Sequence, residues 1–199
     1  MSLDQKRDAI IEAALKRFAH FGVAKTTMNE IAKDLKISKA SLYYYFPDKI
    51  NLYAEVLKSI INISETRGYS ATFENEADPK KSILAYLATR TDFIIKYYNI
   101  IEYIKMIYTR VPKELQSVFS EAKRRELKTI EAIIEKGRVS NHLKVENPKG
   151  TSELFLDCLE GLRYTTFSSK PDFFPDKKQF QNLLKREKEF ALIFFNGLS

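Results

Sequence analysis

A single cysteine, Cys158, leaves no partner for an intrachain disulfide and fits a reducing compartment. With only two histidines, His20 and His142, and no HExxH or CxxC spacing, the chain lacks a set of soft zinc ligands. Its six glycines form neither a phosphate-cradling loop nor a GxSxG elbow, so the common nucleotide and hydrolase signatures are missing. No apolar run approaches the length needed to span a bilayer, because Lys96 interrupts the best one, around Ile94 to Ile101. Nor does the N-terminus carry an apolar core suited to a signal peptide. These gaps argue against an enzyme, a metal or other cofactor, and a membrane protein. They lead us to expect a cytoplasmic chain.

What is present points to helices. The prolines, at positions 47, 79, 112, 148, 171 and 175, stand between long segments of three- and four-residue apolar spacing and never inside them. Convincing strand alternation is absent, so the expected fold class is all-α. The spacing predicts a first helix from Asp4 to His20, with Gly22 as its stop. A short second helix follows Thr27, which stands three residues before Glu30 in the reciprocal capping arrangement. Ser38 caps a third, ending at Phe46 before Pro47, and Asp48 caps a fourth that continues to about Arg67. Further helices are expected over about 80–108, with a break near Tyr98, and over 113–137, 151–168 and 177–196. Gly137 reads as a helix stop and residues 138–150 as a loop.

The formal charge is +7, and residues 1–60 hold ten Lys/Arg against seven Asp/Glu. Such an excess permits attraction to a polyanion without requiring it. Position says more. The stretch "SLYYYFPDK" strings four aromatic rings along one short helix, and rings about 100° apart cannot share one buried face. Leu42 and Phe46 are four apart and suit the inner face, with Tyr45 at its edge. Lys39, Ser41, Tyr43 and Tyr44 then point outward beside Thr26, Thr27 and Lys49. Lysines, small residues and tyrosine hydroxyls in that order suit groove edges and phosphates of duplex DNA. The same spacing also fits a solvated lysine face with tyrosines packed on neighbours, and it leaves the two readings open.

Residues 22–57, "GVAKTTMNEIAKDLKISKASLYYYFPDKINLYAEVL", resemble the helix-turn-helix of the tetracycline-repressor-like (TetR) family. Gly22, Thr26-Thr27, Ile31-Ala32 and the run from Leu42 to Lys49 meet its pattern in register. The resemblance implies a three-helix DNA-binding domain over 1–47 and a helical effector-binding and dimerisation domain over 48–199, joined by the helix 48–67. It also implies that Thr27, Tyr44, Tyr45 and Lys49 touch phosphates, and that Lys39, Ala40, Ser41 and Tyr43 lie at the major-groove edge. For Tyr45 the spacing and the resemblance differ, since the spacing sets it near the inner edge. Two departures from the family stand out. Lys36 and Ala40 occupy positions where many members have glycine, and at Lys36 a left-handed backbone would cost roughly 1 kcal/mol.

Two recognition helices about 34 Å apart require two copies of the head. Leu154, Phe155, Cys158, Leu159, Gly161 and Leu162, with Phe180, Leu184, Ala191, Phe194 and Phe195, stripe the last two predicted helices. Those stripes suit either a four-helix dimer interface or packing within one protomer. The resemblance places the dimer interface in this pair, and it implies a homodimer on a palindromic operator. Tyr86, Phe93, Tyr97, Tyr103, Met106, Phe119 and Tyr164 are candidates to line a partly apolar effector pocket, with Arg90 and Arg163 offering charge. Each aromatic at helical spacing equally suits a plain core, and each arginine a salt bridge. The expected function is a dimeric repressor released from DNA by a small molecule. The alternative is a helical interaction or scaffold module that does not bind DNA.

Overall fold

The computed structural model describes residues 3–64, 76–103, 111–168 and 176–199. Every regular element among them is a helix. These are α1 (Leu3–Phe21), α2 (Met28–Asp34), α3 (Lys39–Tyr45), α4 (Lys49–Ser64), α5 (Pro79–Lys96), α6 (Tyr98–Ile101), α7 (Lys113–Val139), α8 (Pro148–Ser168) and α9 (Lys177–Gly197). They group into two units, Met1–Ser64 with Tyr97–Glu121, and Glu65–Lys96 with Ala122–Ser199.

In the first unit, α1 buries Ile10, Ile11, Ala14 and Phe18 and ends where Gly22 takes a φ of +80°. A left-handed residue there lets the Gly22 N–H reach back to the Phe18 carbonyl at 3.0 Å, which closes the helix. Thr27 and Glu30 form the expected capping box on α2, and the Ser38 hydroxyl accepts the Ser41 N–H at 3.0 Å on α3. Asp48 accepts the Asn51 N–H at 2.8 Å at the start of α4. That helix buries Leu52, Tyr53, Ala54, Val56, Leu57 and Ile60. Tyr53 meets Phe18 and Tyr103 edge-on, and its hydroxyl donates to the Ile100 carbonyl at 2.8 Å. Burial pushes the Tyr53 hydroxyl well above the usual tyrosine range, so it stays a donor. Asn99 of α6 donates to the Ala19 carbonyl at 2.7 Å. The expected break near Tyr98 falls at Tyr97 (φ −101°, ψ 22°). Residues 65–67 and 104–108 of the predicted helices lie outside the described residues.

In the second unit, Ile83, Tyr86 and Leu87 of α5, Ile130, Ile133 and Ile134 of α7, Phe155, Leu156 and Leu159 of α8, and Ala191 and Phe195 of α9 share one core. Gly137 does not stop α7 as the sequence led us to expect. The helix continues to Val139, and Asn141 takes the left-handed position instead, with φ 58°. Glycine serves packing here: a Cβ at 137 would lie 2.6 Å from the Leu143 side chain and 3.0 Å from that of Pro79. The predicted loop 138–150 is therefore shorter at both ends, because α8 starts at Pro148, where a missing N–H costs nothing. Asp176 and Gln179 form a second capping box at the start of α9.

Candidate nucleic-acid interface

The turn between α2 and α3 is made by Lys36 at φ 53°, with the Ile37 N–H returning to the Ala32 carbonyl at 3.0 Å. Leu42 and Phe46 are buried, which fixes the inward face of α3. The opposite face carries Lys39, Ala40, Tyr43 and Tyr44, all exposed, with Ser41 half-buried among them. Tyr44 is 75% exposed, and half-buried Tyr45 meets its ring edge-on at 5.3 Å. The Lys39 ammonium stands 5.7 Å above the Tyr43 ring, a cation–π contact that orders the side chain without using its donors. Thr27 is exposed, and its hydroxyl and N–H both engage Glu30 at 2.8 Å. Those bonds, first the backbone and then the hydroxyl, hold the Glu30 carboxyl below its ordinary range. Arg17 ties α1 to α2 through Asp34 at 2.5 Å.

Two expected outward residues are placed differently. Thr26 is fully buried, and its hydroxyl donates to the Gly22 carbonyl at 2.9 Å, so it belongs to the core of the loop. Lys49 turns back on the protein, donating to the carbonyls of Val23 at 3.0 Å and Thr26 at 3.1 Å, with Ala24 at 3.4 Å. The Lys49 contacts were not legible, since its partners lie more than twenty residues away.

The residues named for an effector pocket are distributed over both units. In the second unit, the Arg90 Nε is 2.8 Å from Glu126, and Arg163 bridges Glu126 at 2.9 Å and Glu187 at 2.8 Å. Tyr86, in the core, also bonds Glu126. The salt-bridged alternative for both arginines is the one observed. Burial pushes the Glu126 carboxyl up, yet the two guanidiniums outweigh it and leave the group below its ordinary range. Phe93 is half-buried, while Tyr164 is 75% exposed and faces outward rather than lining an interior. Tyr97, Tyr103 and Phe119 are half-buried in the first unit, and Met106 lies outside the described residues. Tyr103 borders a cleft of about 250 Å³ with His20, Phe21 and Glu102.

The dimer set also divides. Phe155, Leu159, Phe180, Ala191 and Phe195 are buried within the protomer, with Phe155 packed against the rings of Phe190, Phe194 and Phe195. Leu162, Leu184 and Phe194 are half-buried against the same core. The buried five face the core of their own protomer. Leu154 is 57% exposed, Cys158 half-buried, and nothing lies within 4 Å of a Cβ placed at Gly161. Leu192 and Ile193 on α9 are exposed as well, and the spacing had not singled them out.

The model for "Bacterial regulatory proteins, tetR family" matches residues 10–56, from α1 into α4. The crystal structure of a transcriptional regulator from Cytophaga hutchinsonii ATCC 33406 is 30% identical, with a TM-score of 0.84 over 97% of this chain and 98% of that one. The chain belongs to the TetR family. It is accordingly a DNA-binding transcriptional regulator, and α2–α3 is its helix-turn-helix. The uncharacterized HTH-type regulator YuxN of Bacillus subtilis is 28% identical over 181 residues, which cover 84% of this chain and 60% of YuxN. The regulator QacR of Staphylococcus aureus is 26% identical over 97% of this chain and 98% of its own. This TetR-family chain thus spans about three-fifths of YuxN but nearly all of QacR. Among the described residues, no helix is long and apolar enough to cross a membrane, and no three His, Cys, Asp or Glu side chains gather to hold a metal.

Proposed function

We propose that this TetR-family regulator is a cytoplasmic homodimeric repressor that occupies a palindromic operator and leaves it when a small, partly apolar effector binds. The domain of residues 1–47 reads DNA, and that of residues 48–199 pairs the protomers and takes the effector. The observation that carries the DNA part is the α3 surface, where Lys39, Ala40, Tyr43 and Tyr44 are exposed over a buried Leu42 and Phe46. Lys39 supplies the direct base contact, Ser41 and Tyr43 flank it, and Thr27, Tyr44 and Tyr45 touch phosphates.

Exposed Leu154, Leu192 and Ile193 favour pairing through α8 and α9. So does Gly161, since a mid-helix glycine costs about 1 kcal/mol and no neighbour within the protomer requires one there. A small-molecule effector draws support from the fold: a transcriptional regulator from Saccharomonospora viridis, 16% identical with a TM-score of 0.68, was crystallised with choline. Repression draws support from a "Probable acrEF/envCD operon repressor" of Escherichia coli, 28% identical over 102 residues.

Selection of duplexes from a random pool, followed by binding at two salt concentrations, tests the reading. A dimer on six to ten phosphates loses about 10³ to 10⁵ in affinity between 50 and 200 mM salt. Lys39→Ala changes which duplex is preferred. Absence of any binding at low salt would overturn the proposal in favour of a helical interaction module.

A further inference from the structure

We infer that Arg7 is a positioning residue for DNA recognition, a clamp from α1 that holds the end of α3 through Phe46 and Glu55. The inference rests on α3 being the reading helix and concerns what sets its angle. Phe46 is the residue at which α3 stops. Its N–H returns to the Leu42 carbonyl at 3.0 Å, its backbone turns extended at φ −137° and ψ 109°, and Pro47 follows. The Phe46 side chain is buried, and the Arg7 guanidinium lies over its ring, 5.3 Å from the centroid. The same guanidinium is paired with Glu55, in the second turn of α4. One side chain of α1 therefore touches both the residue that closes α3 and the helix that follows it.

Arg7 is also the first side chain of α1 that is not exposed, ahead of Ile10, the first buried one. Glu55 accepts from Lys58 as well, at 2.7 Å. Burial pushes the Glu55 carboxyl up, yet the bonds from Lys58 and Arg7 outweigh it and leave the group below its ordinary range. Lys58 lies on the same helix as Glu55 and links nothing to it, whereas Arg7 bridges two helices. At the other end of α1, Arg17 pairs with Asp34 at 2.5 Å and Glu30 at 3.4 Å on α2. The two arginines stand about 15 Å apart along α1 at the usual rise per residue. One grips α2 and the other the end of α3, so a rigid helix spans the helix-turn-helix and sets its tilt. Arginine suits position 7 because its planar face covers a ring while its edge donates to a carboxylate, and a lysine ammonium has no such face.

A double-mutant cycle tests the clamp, on the full chain and a duplex selected by the wild type. Arg7→Ala lowers affinity about tenfold, Glu55→Ala about fivefold, and the double variant binds no worse than Arg7→Ala, because both substitutions break one interaction. In the DNA-free protein, the nitrogen-15 amide signals of residues 39–45 move in both single variants. A pair that only stabilises the head lowers the urea midpoint but leaves those signals and the affinity of the folded protein at wild-type values, which overturns the inference. Direct phosphate contact by Arg7 overturns it too. In that case Arg7→Ala flattens the slope of log K against log salt by about 1.8 for two copies, Glu55→Ala binds at least as well as wild type, and the two effects add. Where Arg7→Ala does not fold, Glu55→Ala decides, since it leaves the arginine in place: a loss of about fivefold supports the clamp and undiminished binding refutes it. Should the wild type bind no duplex, the DNA reading fails, and unmoved α3 signals in both single variants would sink the clamp independently.

Discussion

Replacing Arg163 by methionine tests the energetics of the second unit most sharply. Arg163 lies between two carboxylates, with Glu126 at 2.9 Å and Glu187 at 2.8 Å, and the side chain of Glu187 is wholly buried. The other oxygen of Glu187 already has no hydrogen-bond partner among the described residues. Without the guanidinium, Glu126 keeps Arg90, but the recorded ion pair of Glu187 is gone. Removing one member of a buried pair costs about 3–5 kcal/mol, since a charge is left without water or counter-charge. At about 2–4 °C per kcal/mol for a chain of this length, Tm falls by about 6–20 °C. Urea unfolding at pH 7 measures the loss. The double variant Arg163→Met with Glu187→Met removes both charges and should recover at least half of it, because a well-packed apolar pair replaces a buried ionic one at little cost. A single variant that loses under about 1 kcal/mol, or a double no more stable than the single, would refute the reasoning.

Four other outcomes are expected. The Glu126 carboxyl is held below its ordinary 4.5, so its contribution is present above that pH and disappears as pH falls through the lower folded value; a carbon-13 NMR titration midpoint above 4.5 would contradict this. Lys36→Gly relieves a left-handed lysine and raises stability by about 0.5–1 kcal/mol, with urea midpoints as the check. Gly137→Ala costs about 1–3 kcal/mol, because the added methyl meets Leu143 and Pro79, even though alanine favours the helix; a gain in stability would show that the contact yields. Gly161→Ala has open space and stabilises the protomer by about 1 kcal/mol, yet it weakens the proposed dimer, which sedimentation equilibrium would measure.

Features made by neighbours in sequence were the legible ones. Thr27 with Glu30, Ser38 with Ser41 and Asp48 with Asn51 are caps three residues wide, and each formed where the spacing placed it. The α3 faces followed from helical geometry, with Leu42 and Phe46 inward and Tyr43 and Tyr44 outward. Long-range partners were not legible. Gly137 has the same appearance in sequence whether it ends a helix or admits Leu143, and only the return of the chain distinguishes the two. An apolar stripe likewise does not say which helix covers it, so Phe155 and Leu154, neighbours in sequence, were grouped together although one is core and the other surface. Arg90 and Arg163 resisted for the same reason, because Glu126 lies on a different helix.

The two adjacent threonines before α2 have opposite fates, one enclosed and one facing solvent. Anyone retargeting this regulator to a new operator therefore has a single adjustable position there. Randomising Thr26 would sample ways to damage a loop, whereas exchange of Thr27 among the capping side chains Ser, Asn and Asp would sample the surface and keep the start of α2.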